Sequence, residues 1–167
     1  MSISANEARL ELILFNSNVL GIDRVDVFTR FTNAGVPQEI IFRLGELWEQ
    51  TKVIGEKIIH IGKIILLEIL KFVEKNPNLA IGVALGAAIG ALVSLVPFLG
   101  HTLAPLTMTV GAVLGGAVGS RLDRNKKPAN LIEDIFQEAI ILAKKFFELL
   151  ASVFKALQDD FAKNRQG

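Results

Sequence analysis

The sequence contains no cysteine and no tyrosine, and it has a single tryptophan, Trp48. The absence of cysteine excludes disulfide bonds, thiolate metal sites and a cysteine nucleophile. Apart from Glu56, one turn before His60, no carboxylate stands at metal-ligand spacing from either histidine, His60 or His101. The serine-hydrolase, zinc-protease and phosphate-loop motifs are also missing. We therefore expect neither an enzyme nor a bound cofactor or metal.

Charge is nearly balanced overall but is unevenly distributed along the chain. The formal net charge is +1, which gives no electrostatic reason to expect nucleic-acid binding. Residues 76–120 contain no Asp, Glu, Lys or Arg, and His101 is their only titratable side chain. Hydrophobic residues make up 51% of the chain and the mean hydropathy is +0.45, values that are high for a soluble domain. The apolar segment and its charged flanks are thus two different kinds of sequence.

Two series of glycines, each spaced by four residues, occupy mirrored positions in the charge-free segment. If the chain folds back at Gly100–His101, each glycine of the first series reaches the depth of one glycine of the second. Small residues let helix backbones approach closely in lipid. The sequence therefore predicts an all-α fold around a transmembrane helical hairpin, with arms at about residues 79–96 and 103–120. The predicted packing residues are Gly82, Gly86, Gly90, Gly111, Gly115 and Gly119.

Basic residues flank the predicted hairpin on both sides. By the positive-inside rule both flanks and both termini are cytoplasmic, at the inner membrane, with the hairpin tip on the opposite side. The first seven residues lack the basic and apolar regions of a signal peptide, which agrees with this orientation. The basic flank comprises Lys71, Lys75, Arg121, Arg124, Lys126 and Lys127, and the tip comprises Pro97, Gly100, His101 and Pro105. Two alternatives stay open: insertion only on a trigger, and a hairpin buried permanently in a soluble helical protein.

The remaining segments predict helices that form one integrated domain with the hairpin of residues 76–120. Residues 1–36 predict two short helices, and residues 37–75 predict one long amphipathic helix with a bend. Residues 121–167 predict a basic linker followed by an amphipathic helix over about residues 131–163. The two long helices are expected to pair in a bundle or to offer a surface for self-association.

Two resemblances add to this interpretation. Residues 71–77, Lys-Phe-Val-Glu-Lys-Asn-Pro, followed by Ile81 and the series Gly82, Gly86 and Gly90, resemble the glycine-zipper anchors of small bacterial inner-membrane proteins, including the ribosome-associated stress type. The layout is also similar to that of helical pore-formers: colicin pore domains, the diphtheria translocation domain and Bax-like apoptotic regulators. In those pore-formers amphipathic helices surround a hydrophobic hairpin that enters the membrane.

The sequence supports two hypotheses about function. The first is a homo-oligomeric membrane protein whose hairpin forms a pore or permeabilises the bilayer, because the mirrored glycines offer faces for packing between hairpins. The second is a non-enzymatic, membrane-anchored scaffold whose cytoplasmic helices recruit an unidentified protein partner or shape the membrane. A pore lumen would be lined by small and hydroxyl residues: Ser94, Thr107, Thr109 and Ser120.

Overall fold

The computed structural model describes residues 3–112 and 128–163, and these residues are mostly helical, as the sequence predicts. The chain begins with α1 (Ala5–Leu20), where the Ser4 side chain accepts a hydrogen bond of 3.2 Å from the Glu7 amide. Such a cap satisfies one of the amides that the first helical turn leaves unpaired. The second helix, α2 (Arg24–Asn33), is capped in the same way by Asp23.

A two-stranded hairpin interrupts the single helix that was predicted over residues 37–75. The segment consists of α3 (Gln38–Trp48), β1 (Lys52–Ile54), β2 (Lys57–Ile59) and α4 (Ile61–Lys75). Gly55 stands in the turn between the strands with φ of +67°, a conformation that glycine adopts without strain. The prediction of one helix was wrong because β-branched residues on both sides of this glycine favour strands.

A close approach at Gly62 joins α3 to α4. The Gly62 amide donates a 3.1 Å hydrogen bond to the carbonyl oxygen of Gln50. A Cβ atom at this position would lie 1.7 Å from the carbonyl oxygen of Leu47, far inside van der Waals contact. Only glycine therefore permits the present packing of α4 against the end of α3.

The centre of the fold is α4, which packs against α1, α2, α3 and the following helix. Ten of its fifteen residues are buried, so that only a narrow polar stripe remains in contact with water. Ile65, Ile69, Leu70 and Phe72 are each 0% exposed. This helix is the core of the bundle, because its large side chains fill the space between its neighbours.

The predicted hairpin appears as α5 (Ile81–Leu95) and α6 (Leu99–Val110), which pack against each other. The first arm matches its predicted position. The second begins at Leu99, earlier than expected, and beyond Ala112 it lies outside the described residues. Within the described residues, no helix has both the length and the apolar character required to cross a bilayer.

The C-terminal part continues with α7 (Pro128–Phe146), α8 (Glu148–Ala156) and α9 (Gln158–Lys163). The helix predicted over residues 131–163 is thus interrupted at Phe147 and Leu157, where the backbone departs from helical geometry. α7 packs on α5, α8 packs on α1, and α9 approaches β1. The C-terminal helices therefore connect the N-terminal bundle to the hairpin.

Candidate functional site

The turn of the hairpin is shorter than the predicted tip. It consists of residues 96–98, so that Pro97 lies in the turn as expected, while Gly100 and His101 lie in the first turn of α6. Pro105 lies inside α6, where it removes one backbone donor without ending the helix. The expectation of a fold-back at Gly100–His101 is therefore wrong by a few residues, since α6 begins directly after Phe98.

Three phenylalanines hold the turn of the hairpin against the C-terminal helices. The ring of Phe98 lies 5.3 Å from that of Phe161 and 6.4 Å from that of Phe154, measured between centroids. Phe154 and Phe161 in turn meet edge to face at 5.3 Å. Aromatic pairs at such distances stabilise a fold beyond the area that they bury. Sequence reasoning missed this cluster, because the three rings come from distant positions in the chain.

Gly86 contacts α7 and makes room for an aromatic ring. A Cβ atom at Gly86 would lie 3.1 Å from Cε2 of Phe136, so glycine lets this ring lie against the α5 backbone. The predicted partner, Gly115, lies outside the described residues. Gly82 is half-buried in α5, and its predicted partner Gly119 also lies outside them.

Gly90 and Gly111 are the one mirrored pair that lies wholly within the described residues. A Cβ atom on either glycine would meet no described atom within 4 Å beyond its chain neighbours and the backbone of its own helix. In this bundle the two glycines therefore make no close backbone contact, and their packing within a membrane-inserted hairpin stays a prediction. Both glycines instead border open space, because the side chains around them leave a groove between α5, α6 and α7.

This groove has a volume of about 620 Å³, within the range of about 300–1,000 Å³ typical of small-molecule sites. Among the described residues, no charged side chain lines it. Its polar side-chain atoms are hydroxyls, and Met108, which is 75% exposed, stands at its edge. We name this feature the hairpin groove; its lining residues are Gly86, Ile89, Gly90, Val93, Ser94, Gly100, Ala104, Thr107, Met108, Val110, Gly111 and Phe136.

Two of the four residues predicted to line a pore, Ser94 and Thr107, line the hairpin groove. The Thr107 hydroxyl donates a 2.9 Å hydrogen bond to the Leu103 carbonyl, and the Thr109 hydroxyl donates an equivalent bond to the Pro105 carbonyl. Threonine commonly returns its hydroxyl to its own helix in this way. Ser120 lies outside the described residues.

The basic flank is described only at its first two positions. Lys71 forms an ion pair of 3.4 Å with Glu68, and the Lys75 ammonium lies 5.8 Å from the centroid of the Phe146 ring on α7. Both lysines stand at the end of α4, directly before the charge-free segment. The other four predicted members, Arg121, Arg124, Lys126 and Lys127, lie outside the described residues.

An ion pair between Arg30 and Glu74 ties α2 to the end of α4. Nε of Arg30 donates to one carboxylate oxygen at 3.0 Å, and Nη2 donates to the other, so the pair is bidentate. The hydrogen bond from Arg30 lowers the pKa of Glu74, and the same bond raises the pKa of Arg30. The two residues are 44 positions apart, and no local pattern in the sequence indicates the pairing.

The histidines occupy separate surroundings. His101 is exposed on α6, while the His60 amide donates a 2.8 Å hydrogen bond to Oδ1 of Asn16. In the part of the chain that the structure describes, no three His, Asp or Glu residues come together as a possible metal site. Among the described features, the hairpin groove therefore has the clearest chemical character, and its lining is mostly apolar.

Comparison of the chain with protein-family models, with curated proteins and with solved structures finds no match.

Proposed function

We propose that this chain permeabilises a bilayer by releasing the α5–α6 hairpin from its helical bundle and assembling it with further copies into a homo-oligomer. The observation that supports the proposal most is the position of α5. This uncharged helix packs between α4 and α7, and seven of its residues are buried there, four of them alanines. Its apolar surface is covered by helices that carry polar residues on their outer sides.

Transfer of such a helix into lipid requires no charge to be desolvated, since residues 76–120 carry none unless His101 is protonated. The apolar contacts that α5 makes with α4 and α7 are exchanged for contacts with acyl chains, which are similarly apolar. The helix must, however, separate from Phe136, whose ring would lie only 3.1 Å from a Cβ atom at Gly86. Separation of α5 from α7 is thus the step that the proposal requires.

A crosslink between α5 and α7 tests this step. The native chain has no cysteine, so Gly86→Cys with Phe136→Cys introduces the only two thiols. A short, reductively cleavable bis-maleimide then joins the two helices. We expect the crosslinked protein to release no dye from vesicles over pH 5 to 8, and we expect reductive cleavage to restore the release seen without crosslinking.

The matched control joins two elements that the proposal keeps together. Arg9 on α1 and Asp160 on α9 form an ion pair of 3.5 Å, and cysteines at these positions accept the same crosslinker. This link should leave dye release unchanged. Equal release from the Gly86–Phe136 crosslinked and uncrosslinked proteins, or no release from the native protein at any pH in the range, contradicts the proposal.

In the proposed inserted form the hairpin lies in the inner membrane of a bacterium, with both termini cytoplasmic. Ser94, Thr107, Thr109 and Ser120 line the lumen in this proposal. Native mass spectrometry of the detergent-solubilised protein, combined with conductance across a planar bilayer, tests the assembly. A defined ring that conducts supports a pore, whereas a monomer that does not conduct contradicts it.

A second candidate is a membrane-anchored scaffold, favoured by the exposed apolar side of α1. Leu10 and Leu14 are 65% and 57% exposed, and they lie one turn apart on the same face of the helix. Apolar residues of this kind in one place mark surfaces for protein partners when they form a continuous patch. If the native protein binds vesicles without releasing dye, and Leu10→Glu with Leu14→Glu removes binding of a protein partner, the scaffold replaces the pore.

A further inference from the structure

The hairpin groove has the length and chemistry of a site for a single acyl chain. On α5 its lining runs from Gly86 to Ser94, and on α6 it runs from Gly100 to Gly111. At a rise of 1.5 Å per residue these stretches measure about 12 Å and about 16 Å. An extended chain of tetrahedral carbons advances about 1.25 Å per bond, so the groove accommodates about 10 to 13 carbons.

The width of the groove favours an acyl chain over a peptide helix as its occupant. A volume of about 620 Å³ spread over about 16 Å corresponds to a mean cross-section of about 40 Å². That is roughly a third to a half of the section of an α-helix with its side chains, which is about 10–12 Å across. An unbranched chain therefore fits between α5 and α6, whereas a peptide helix would project from the groove.

The lining favours the apolar part of a lipid over any charged ligand. Neither Lys, Arg, Asp nor Glu lines the groove, so no described lining residue pairs with a carboxylate. Glycines at four positions expose backbone to the groove, and a Cβ atom at Gly100 would meet only Cγ1 of Val93, at 3.9 Å. Met108 at the edge has a flexible, polarisable side chain suited to cover an irregular apolar ligand.

We propose that the hairpin groove binds one acyl chain of a membrane lipid, and that the folded bundle first engages the bilayer through this chain. This inference rests on the proposed function for the source of the lipid. The groove itself is formed by α5, α6 and α7 in their folded arrangement, before any separation of the hairpin from α7.

The test uses lysophosphatidylcholines with 8, 10, 12 and 14 carbons, each below its micelle-forming concentration, titrated into the full-length protein by calorimetry. We expect one chain bound per protein. Affinity should rise about fourfold with each added methylene, because each buried methylene contributes about the same transfer free energy. The rise should stop near 12 carbons, where the groove is full.

Two leucines placed in the groove supply the decisive variant. Gly90→Leu with Gly111→Leu fills the groove from opposite walls, and open space at both positions lets the variant fold. Affinity for the 12-carbon lipid should fall at least tenfold. Gly21→Leu, at a surface position with equal free space, should bind like the native protein. Circular dichroism and urea unfolding verify that all three proteins are folded.

Three results overturn the inference: no binding of any chain length, unchanged affinity in the filled variant, or an affinity that does not depend on chain length. Tighter binding of dodecanoate than of the 12-carbon lysolipid overturns the membrane lipid as the source. These outcomes are separate from a failure of the proposed function, because they are measured without vesicles. If the protein binds lysolipid but shows no dye release that the crosslink blocks, the proposed function is contradicted and the present inference is not.

Discussion

The helices α4 and α5 are both strongly apolar, yet their surroundings in the fold differ. α4 carries isoleucine, leucine and phenylalanine on nearly every side and is enclosed by four helices. Seven of the fifteen residues of α5 are alanine or glycine, and this helix packs against α4 and α7 while another side borders a groove of about 620 Å³. Side-chain size, more than hydrophobicity, thus separates a core helix from one that forms the wall of a groove.

The largest difference between the two helices should appear at their glycines. Gly62→Ala places a methyl group 1.7 Å from the Leu47 carbonyl oxygen, so α3 and α4 must move apart. We expect a loss of about 3 kcal/mol or more in the free energy of unfolding, measured by urea denaturation. Gly21→Ala, at a position with free space, is the control. If Gly62→Ala lowered the free energy of unfolding no more than Gly21→Ala does, the close approach of α4 to α3 would be refuted.

A smaller loss is expected where α5 meets α7. Gly86→Leu forces a side chain into the ring of Phe136, because even a Cβ atom would lie 3.1 Å from it. We expect this variant to lose about 1–3 kcal/mol in the free energy of unfolding. Gly90→Leu lies one helical turn away on the groove side and should change stability little. Equal losses at both positions would mean that α5 has no open side.

Gly90→Ala should instead stabilise the protein. The new methyl group meets no described atom of another element within 4 Å, and alanine costs less conformational entropy than glycine in a helix. The expected gain is about 0.5–1 kcal/mol in the free energy of unfolding, read as a shift of the urea midpoint at unchanged slope. Destabilisation by this single methyl would show that Gly90 is tightly packed after all.

The smallest effect should come from the ion pair that holds α2 to α4. The pKa of Glu74 is lower in the folded protein, because Arg30 donates to its ionised form. Its contribution is therefore complete above the ordinary pKa of glutamate, about 4.3, and is lost as pH falls through the lower folded value. The pKa of Arg30 is raised in the folded protein, so its guanidinium stays charged throughout this acid range.

Both side chains are more than one third exposed, so solvent screens the pair and its contribution is about 0.5 kcal/mol. Glu74→Gln should reduce the free energy of unfolding by this amount at pH 7. The difference between the two proteins should shrink as pH falls below about 4.3, because the native carboxyl then becomes neutral as well. A stability difference that grows towards acid pH would contradict the predicted pH dependence.

The sequence predicted the helical class and the position of α5 because both depend on local patterns. A capping serine, Ser4, and the charge-free stretch with its glycines are visible without tertiary information. The interruption by β1 and β2 was missed because a single glycine within an apolar stretch does not exclude a helix, whereas the positive φ of Gly55 serves a turn. Such a turn competes with helix propensity only once Ile59 is buried by its neighbours.

The roles of the glycines could not be predicted from spacing alone. Gly62 belongs to neither glycine series, yet it makes the closest approach described, which depends on where the chain turns at Gln50. Gly86 contacts Phe136, a residue 50 positions later, and the mirrored pair Gly90 and Gly111 faces a groove. Periodicity identifies which residues share a helix face, but tertiary contacts decide what that face meets.

Release of the hairpin into lipid is tested most directly by a fluorescent label at Met108. This side chain is 75% exposed on α6, so Met108→Cys accepts a polarity-sensitive dye without disturbing the core. On vesicles over pH 5 to 8, the account predicts a blue-shifted emission that lipids with a nitroxide near the bilayer centre quench, while the same dye at Lys155→Cys on α8 stays in water. Water-like, unquenched emission at Met108 throughout that range would contradict the entry of the hairpin into the bilayer.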